Sequence, residues 1–434
     1  MSVKESASIR PFASPSGATA PLPTSATWTD AWLQGAFASF LAPMRRGRLE
    51  VRLPDGERLS FGGTEPGPEA SIVVNDRRVF RRCALSGDIG FGEAYQAGEW
   101  ESDDLYAVIA WFCANADTAP TLAGSSNRPL SLRLFSAANR LRHLFNRNTR
   151  SGSRRNIHAH YDLGNAFYRL WLDPTLTYSA ALFEAPDQAL ESAQVAKYER
   201  LCQHLRLRPG HEVLEIGSGW GGFTRHAVQQ HGCRVTTVTL STEQRDHAQA
   251  LFEREGIADR ARVLLMDYRD LPGLGQTFDR IASIEMLEAV GDSFLETYFS
   301  VCQRLLRRGG LFGAQFITCP DSRYAEMRRG VDWIQKHVFP GSLLLSVQRV
   351  NQAVSRTGTM HLHDLRDFGP DYARTLRIWR ERFNERLDEV RDLGFDTWFI
   401  RTWNYYLAYC EAAFAHRSIS VVQGIWTAPN NASL

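Results

Sequence analysis

The chain has 434 residues, 44% hydrophobic and 23% charged, with a net charge of +2. This is the composition of a soluble globular protein with room for two or three domains and a large core. The near-neutral balance excludes a polyanion partner recognised by bulk charge alone. No run of 18 apolar residues occurs, which excludes a membrane-spanning helix. The N-terminus lacks a basic segment followed by an apolar one, so no secretory signal is expected. Seven scattered cysteines without a Cys-x-x-Cys pair fit a reducing cytosol and give no zinc pattern.

Residues 1–25 are rich in Ala, Ser and Pro and are expected to be disordered. Residues 26–118 read as a small α+β domain. Trp28 to Leu41 has helical periodicity. "GRLEVRLPDGERLSFGG" alternates apolar residues on both sides of Pro-Asp-Gly, a hairpin signature. "ASIVVNDRRVFRRCAL" has strand character, and the chain turns helical around Leu105 to Cys113.

Residues 119–155 form a basic linker or helix. Eight arginines and no acid fall between Ser125 and Arg155. Leu134, Ala138, Leu141 and Phe145 share one helical stripe, with Arg133, Arg140 and Arg147 off it. A basic amphipathic helix suits an anionic membrane surface; a solvated linker and docking on a neighbouring domain are the bland alternatives.

From about Ala193 strands and helices alternate. "EVLEIGSG", "RVTTVTLS", "RVLLMDYRDL", "FDRIASIEML" and "GLFGAQFI" are five apolar runs at helix-length spacing. That predicts an α/β fold with a doubly wound, Rossmann-like parallel sheet across residues 156–434. The part from Asp364 onward has helical periodicity.

The first run ends in Glu215, followed by Gly217, Gly219 and Gly221. Glycines there let the backbone turn tightly and approach a ligand. The second run ends near Thr239 and Gln244, without the acidic residue that holds a dinucleotide ribose. The third ends in Asp267 and Tyr268, where Asp267 is placed to accept from an adenine amine. Together the three loops point to S-adenosylmethionine and a methyltransferase.

The sequence resembles the cyclopropane-fatty-acid synthases and the related mycolic-acid and acyl-lipid methyltransferases. The resemblance is carried by "HYDLGNAFYRLWLDPTLTYSAALF", "VLEIGSGWGGF", "VTLSTEQ", "DYRDL", "EMLEAVG", "FPGSLLLS" and "FGPDYARTLRIWRERF", from about residue 158 onward. "GFGEAYQAGEWESDDL" is similar to the small N-terminal domain of the phospholipid-modifying members. The resemblance implies a peripheral enzyme at the cytoplasmic face of a membrane, methylating the cis alkene of an unsaturated phospholipid acyl chain. Helical additions would cover the acyl site. Nucleic acid is not implied as a partner, and a homodimer is left open.

By the same resemblance Tyr178, Ser179, Thr239 and Gln244 contact the cofactor. Ring-forming members hold a bicarbonate with a Cys, a Glu, a His and a Tyr. The Glu matches Glu288 and the Tyr matches Tyr372. Ala180 stands at the Cys position and Gln315 at the His position, so bicarbonate is doubtful and the product tilts from a cyclopropane to a methylene- or methyl-branched chain. Glu285 and Glu288, three residues apart, would share a face of a helix, and a buried carboxylate there can act as base directly. His158, His160, Tyr161 and Asp162 are placed to shape the site, and His337 lies in the segment expected to cover the acyl channel. An inactive S-adenosylmethionine- and lipid-binding relative is the alternative; the intact cofactor loops argue against it.

Overall fold

The computed structural model describes residues 28–117, 163–431 and 434. The N-terminal 1–25 segment, the basic stretch of residues 119–155, and His158, His160, Tyr161 and Asp162 lie outside the described residues.

The first unit opens with helix α1 (Trp28–Leu41), then strands β1 (Arg46–Arg52), β2 (Arg58–Gly62) and β3 (Glu65–Val74). Helix α2 (Arg78–Gln96), β4 (Trp100–Glu101) and α3 (Leu105–Ala114) complete it. The sheet order is β2-β1-β3-β4. The Pro-Asp-Gly hairpin forms as its pattern predicts, with Leu49 and Val51 alternating into the core. Asp104 caps α3 by accepting from the Ala107 backbone N–H. One departure from the expected elements is α2, a long helix kinked at Gly87, where the sequence suggested continued strand.

The second unit is a seven-stranded sheet: β5 (Glu212–Ile216), β6 (Arg234–Thr239), β7 (Ala261–Leu265), β8 (Phe278–Ile284), β9 (Leu306–Thr318), β10 (His361–Asp367) and β11 (Ser420–Thr427). The order is β10-β11-β9-β8-β5-β6-β7. The five predicted strands, β5 to β9, are mutually parallel, while β11 runs antiparallel between β9 and β10. Because β5 sits between β6 and β8, the chain reverses its direction of travel there, and a crevice opens at the carboxyl ends of the strands.

Two long helices, Gly369–Glu385 and Thr397–Ala415, pack against each other beyond this sheet. The second also packs on α2 and α3. Gln96 of α2 donates to Thr402 Oγ1 at 2.7 Å and accepts from Trp333 Nε1 at 3.3 Å. Arg401 donates to the backbone carbonyls of Tyr95 and Trp100. One hydrophobic core runs from Leu49 and Trp100 through Trp171 and Trp379 to Phe414, joining the N-terminal unit to the helical layer. No described helix is long and apolar enough to cross a membrane.

Candidate active site

The crevice beside β5 is a cleft lined by the glycine loop, the ends of β6 and β8, and the segment from Thr175 to Ser179. Its floor is the loop after β5. Gly217 and Gly219 have φ of 97° and 48°, a region open to glycine. The Gly217 and Ser218 N–H groups both donate to the Val238 carbonyl at 3.0 Å, pinning the loop to β6. A Cβ at Gly219 would project into open space in the cleft, whereas one at Gly221 would meet Phe252 at 2.9 Å. Gly219 therefore leaves room for a ligand and Gly221 for helix packing.

Glu215, Thr239, Gln244, Met266 and Tyr268 add polar and apolar walls. Glu215 accepts from Thr224 Oγ1 at 2.6 Å, and burial pushes its carboxyl up to about 7 against the Thr224 and Thr237 hydrogen bonds. Thr239 Oγ1 donates to Gln244 Oε1 at 2.8 Å, so the two side chains are set as a pair. Asp267, just after β7, is paired with Arg269. Its carboxylate accepts from Arg269 Nε at 2.8 Å and from the other guanidinium arm at 2.6 Å, and the wall is built by its neighbours Met266 and Tyr268.

The facing wall comes from the segment that follows Trp171. Tyr178 and Ser179 both line the cleft. The Tyr178 hydroxyl lies 2.9 Å from the Tyr406 hydroxyl, and its ring packs beside Tyr168, Trp171 and Trp379 at 5.3–5.6 Å between centroids. Ser179 Oγ accepts from Lys197 Nζ at 2.7 Å. Lys197, on the helix Leu190–His204, is fully buried, also donates to Gln194 Oε1 at 2.7 Å, and is pushed below the usual lysine range by burial. Nothing in the sequence marked this lysine, because one cationic residue in a polar helix reads as solvated.

A carboxylate closes the cleft between these walls, and it is Glu285. Oε1 accepts from the Ala180 backbone N–H and from Gln315 Nε2, each at 2.8 Å; Oε2 accepts from the Tyr372 hydroxyl at 2.8 Å. Gln423 of β11 donates to Gln315 Oε1 at 2.9 Å, which fixes the direction of that amide. Glu285 has φ 49°, so it does not share a helical face with Glu288 as their spacing suggested; the short 3-10 turn starts only at Leu287. Glu288 turns toward β9, where it accepts from the Ile317 N–H at 2.5 Å. Burial, then the nearby Glu285 charge, pushes Glu288 up to about 8. The expected meeting of Tyr372 and Gln315 with Glu288 is thus made with Glu285 instead. His337 pairs with Glu93 of α2 at 2.9 Å.

The sequence model of the mycolic acid cyclopropane synthetase family matches residues 148–424, more than half of the chain. The chain belongs to this family. It is an S-adenosylmethionine-dependent methyltransferase, and the open space over Gly219 together with the Glu215, Thr239 and Gln244 side chains fits that cofactor. The tuberculostearic acid methyltransferase UfaA1 of Mycobacterium tuberculosis is 36% identical over 399 residues, 90% of each chain. The cyclopropane-fatty-acyl-phospholipid synthase of Escherichia coli K12 is 34% identical over 385 residues, 88% of this chain and 93% of that one. Among solved structures, the mycolic acid cyclopropane synthase CmaA1 complexed with SAH and CTAB superposes with a TM-score of 0.57 at 30% identity. That match covers 63% of this chain and 97% of CmaA1. The two longer alignments therefore extend well beyond the share of the chain that the smaller family members cover.

Away from the cleft, Cys202, His226 and His231 come within metal-binding reach of one another. Both imidazoles bond to Glu199, at 2.8 and 3.0 Å, and burial keeps the Cys202 thiol protonated.

Proposed function

We propose that this protein transfers the methyl group of S-adenosylmethionine to one carbon of a cis double bond in an unsaturated phospholipid acyl chain, from the cytoplasmic face of a membrane. The observation that carries the reading is the wall opposite the glycine loop. Trp171, Phe339, Trp379 and Tyr406 cluster around Tyr178, and Tyr178 itself lines the cofactor cleft. An alkene is a weak nucleophile, and its methylation leaves a carbocation. Aromatic faces stabilise a cation, and a dry apolar wall aligns an acyl chain and keeps water from trapping it.

The bound cofactor supplies an electrophilic methyl group. The alkene π pair forms the new carbon–carbon bond, and the positive charge falls on the other alkene carbon. Direct loss of a methyl proton closes a cyclopropane. A 1,2-hydride shift before that loss leaves a methylene branch, a chain carbon doubly bonded to CH₂, which a separate two-electron reduction would convert to a methyl branch. Ala180 and Gln315 supply no thiol or imidazole, and this favours the branched product. The phospholipid substrate is supported by the name of the E. coli relative, whose match extends into the N-terminal unit. The basic residues Arg133, Arg140 and Arg147 support contact with anionic headgroups.

The test is mass spectrometry and proton NMR of lipids from cells expressing the protein. The expected result is unsaturated chains heavier by one CH₂ with methylene-branch signals, or by CH₂ plus two hydrogens with methyl-branch signals where a cellular reductase has acted. A high-field cyclopropane signal would overturn the product reading, and unchanged lipids would overturn the reaction.

A further inference from the structure

We propose that the Glu285 carboxylate is the general base of this reaction and that the enzyme works without a dissociable anion in its site. The inference rests on the alkene-methylation reading above, because that reaction must discard a proton.

The geometry argues for it in three ways. First, three hydrogen-bond donors converge on this carboxylate: the Ala180 backbone N–H, Gln315 Nε2 and the Tyr372 hydroxyl, all at 2.8 Å. An external anion placed among these groups would need the same donors, and Glu285 already takes them. Second, Glu285 lines the cofactor cleft, in company with Tyr178, Ser179 and the glycine loop. A carboxylate has about four lone-pair directions, and three are used here, which leaves one on Oε2 to accept a proton. Third, the backbone is held in an unfavourable region. A glutamate at φ 49° costs on the order of 1 kcal/mol or more, and such strain persists only where surroundings enforce it. Here the Glu285 N–H donates to the Gln315 carbonyl at 2.7 Å, so β9 holds both the strained backbone and the amide that grips the side chain.

Proton transfer balances simply. A C–H bond of the transferred methyl breaks, its electron pair quenches the cation, and the proton goes to Glu285 Oε2. Tyr372 and Gln315 act as positioning residues that keep the carboxylate aimed at the cleft. Burial raises the Glu285 carboxyl above the usual carboxylate range, partly offset by Lys197 and the three donors, and this strengthens it as a base.

The full-length protein would be assayed on vesicles of oleoyl phosphatidylglycerol, in buffer stripped of carbon dioxide and again with bicarbonate added. Wild type is expected to turn over equally in both. E285Q keeps the shape and two acceptor positions but loses the base, so kcat is expected to fall about 100-fold or more while SAH binding changes little. E285G suits the left-handed backbone and keeps the fold, and it is expected to lose the same activity. Wild type that is inactive until bicarbonate is added would overturn the proposal, as would E285Q or E285G at the wild-type rate. Wild type silent in both buffers would overturn the alkene reading itself, and this inference with it.

Discussion

Glu93 ties the N-terminal unit to the short helix Trp333–His337, and replacing it with glutamine is expected to cost measurable stability. The carboxylate of α2 meets Lys336 Nζ at 2.5 Å and His337 Nε2 at 2.9 Å. Burial alone would raise its pKa, but the hydrogen bonds and charges of His337 and Lys336 hold it down at about 2. All three side chains are 20% exposed or less, so solvent screens the cluster weakly. The drop from the usual 4.5 to about 2 corresponds to roughly 3 kcal/mol of stability at neutral pH. A depressed carboxylate contributes above its unfolded pKa and loses that contribution as pH falls toward its folded one. The gap between wild type and E93Q should therefore be full at pH 7, begin to narrow below about 4.5, and be less than half its size at pH 3. Urea unfolding of both proteins across that range measures it. A gap of equal size at pH 7 and pH 3 would refute the ion-cluster argument, as would a gap below about 0.5 kcal/mol at pH 7. Phe339 stands two residues past His337 and packs against Tyr406 at 5.7 Å, so a loosened segment should also raise KM for lipid more than for cofactor.

Three further outcomes follow from the geometry. K197M removes the donor to Ser179 and the cation that lowers the Glu285 pKa, so cofactor binding should weaken and the rising limb of the pH–kcat/KM profile should move to higher pH; an unmoved profile would contradict that coupling. G92A places a Cβ at 2.5 Å from Trp333 Cδ1 and 2.6 Å from Nε1, inside a packed core, and should destabilise by about 1–3 kcal/mol in thermal or urea unfolding. Glu215 is the reverse of Glu93: its folded pKa is raised to about 7, so wild type loses stability as pH rises from 4.5 to 7, and E215Q should overtake it in stability at pH 8 while binding cofactor less well.

The parallel strands were legible because each is a short apolar run followed by a polar helix, and the glycine loop announced the cofactor. β10 and β11 were not. β10 is an exposed edge whose His, Asp and Arg residues give no apolar alternation, and β11 follows directly on the helix Thr397–Ala415, whose period masks it. Glu285 was visible as one of two acids three residues apart, but its role depended on a left-handed backbone that spacing cannot reveal. The donors that meet it come from positions 180, 315 and 372, brought together only by the sheet and the helical layer. Lys197 was hidden for the same reason: its burial is created by Ser179 and Gln194 packing over it.

The most direct test of the central claim uses S-adenosylmethionine carrying ¹³C in the transferred methyl, the purified protein, and vesicles of oleoyl phosphatidylglycerol. Carbon NMR of the extracted lipid should show the label in the terminal CH₂ of a methylene branch on the acyl chain. Label in a cyclopropane ring would contradict the product, and label absent from the acyl chain would contradict the function.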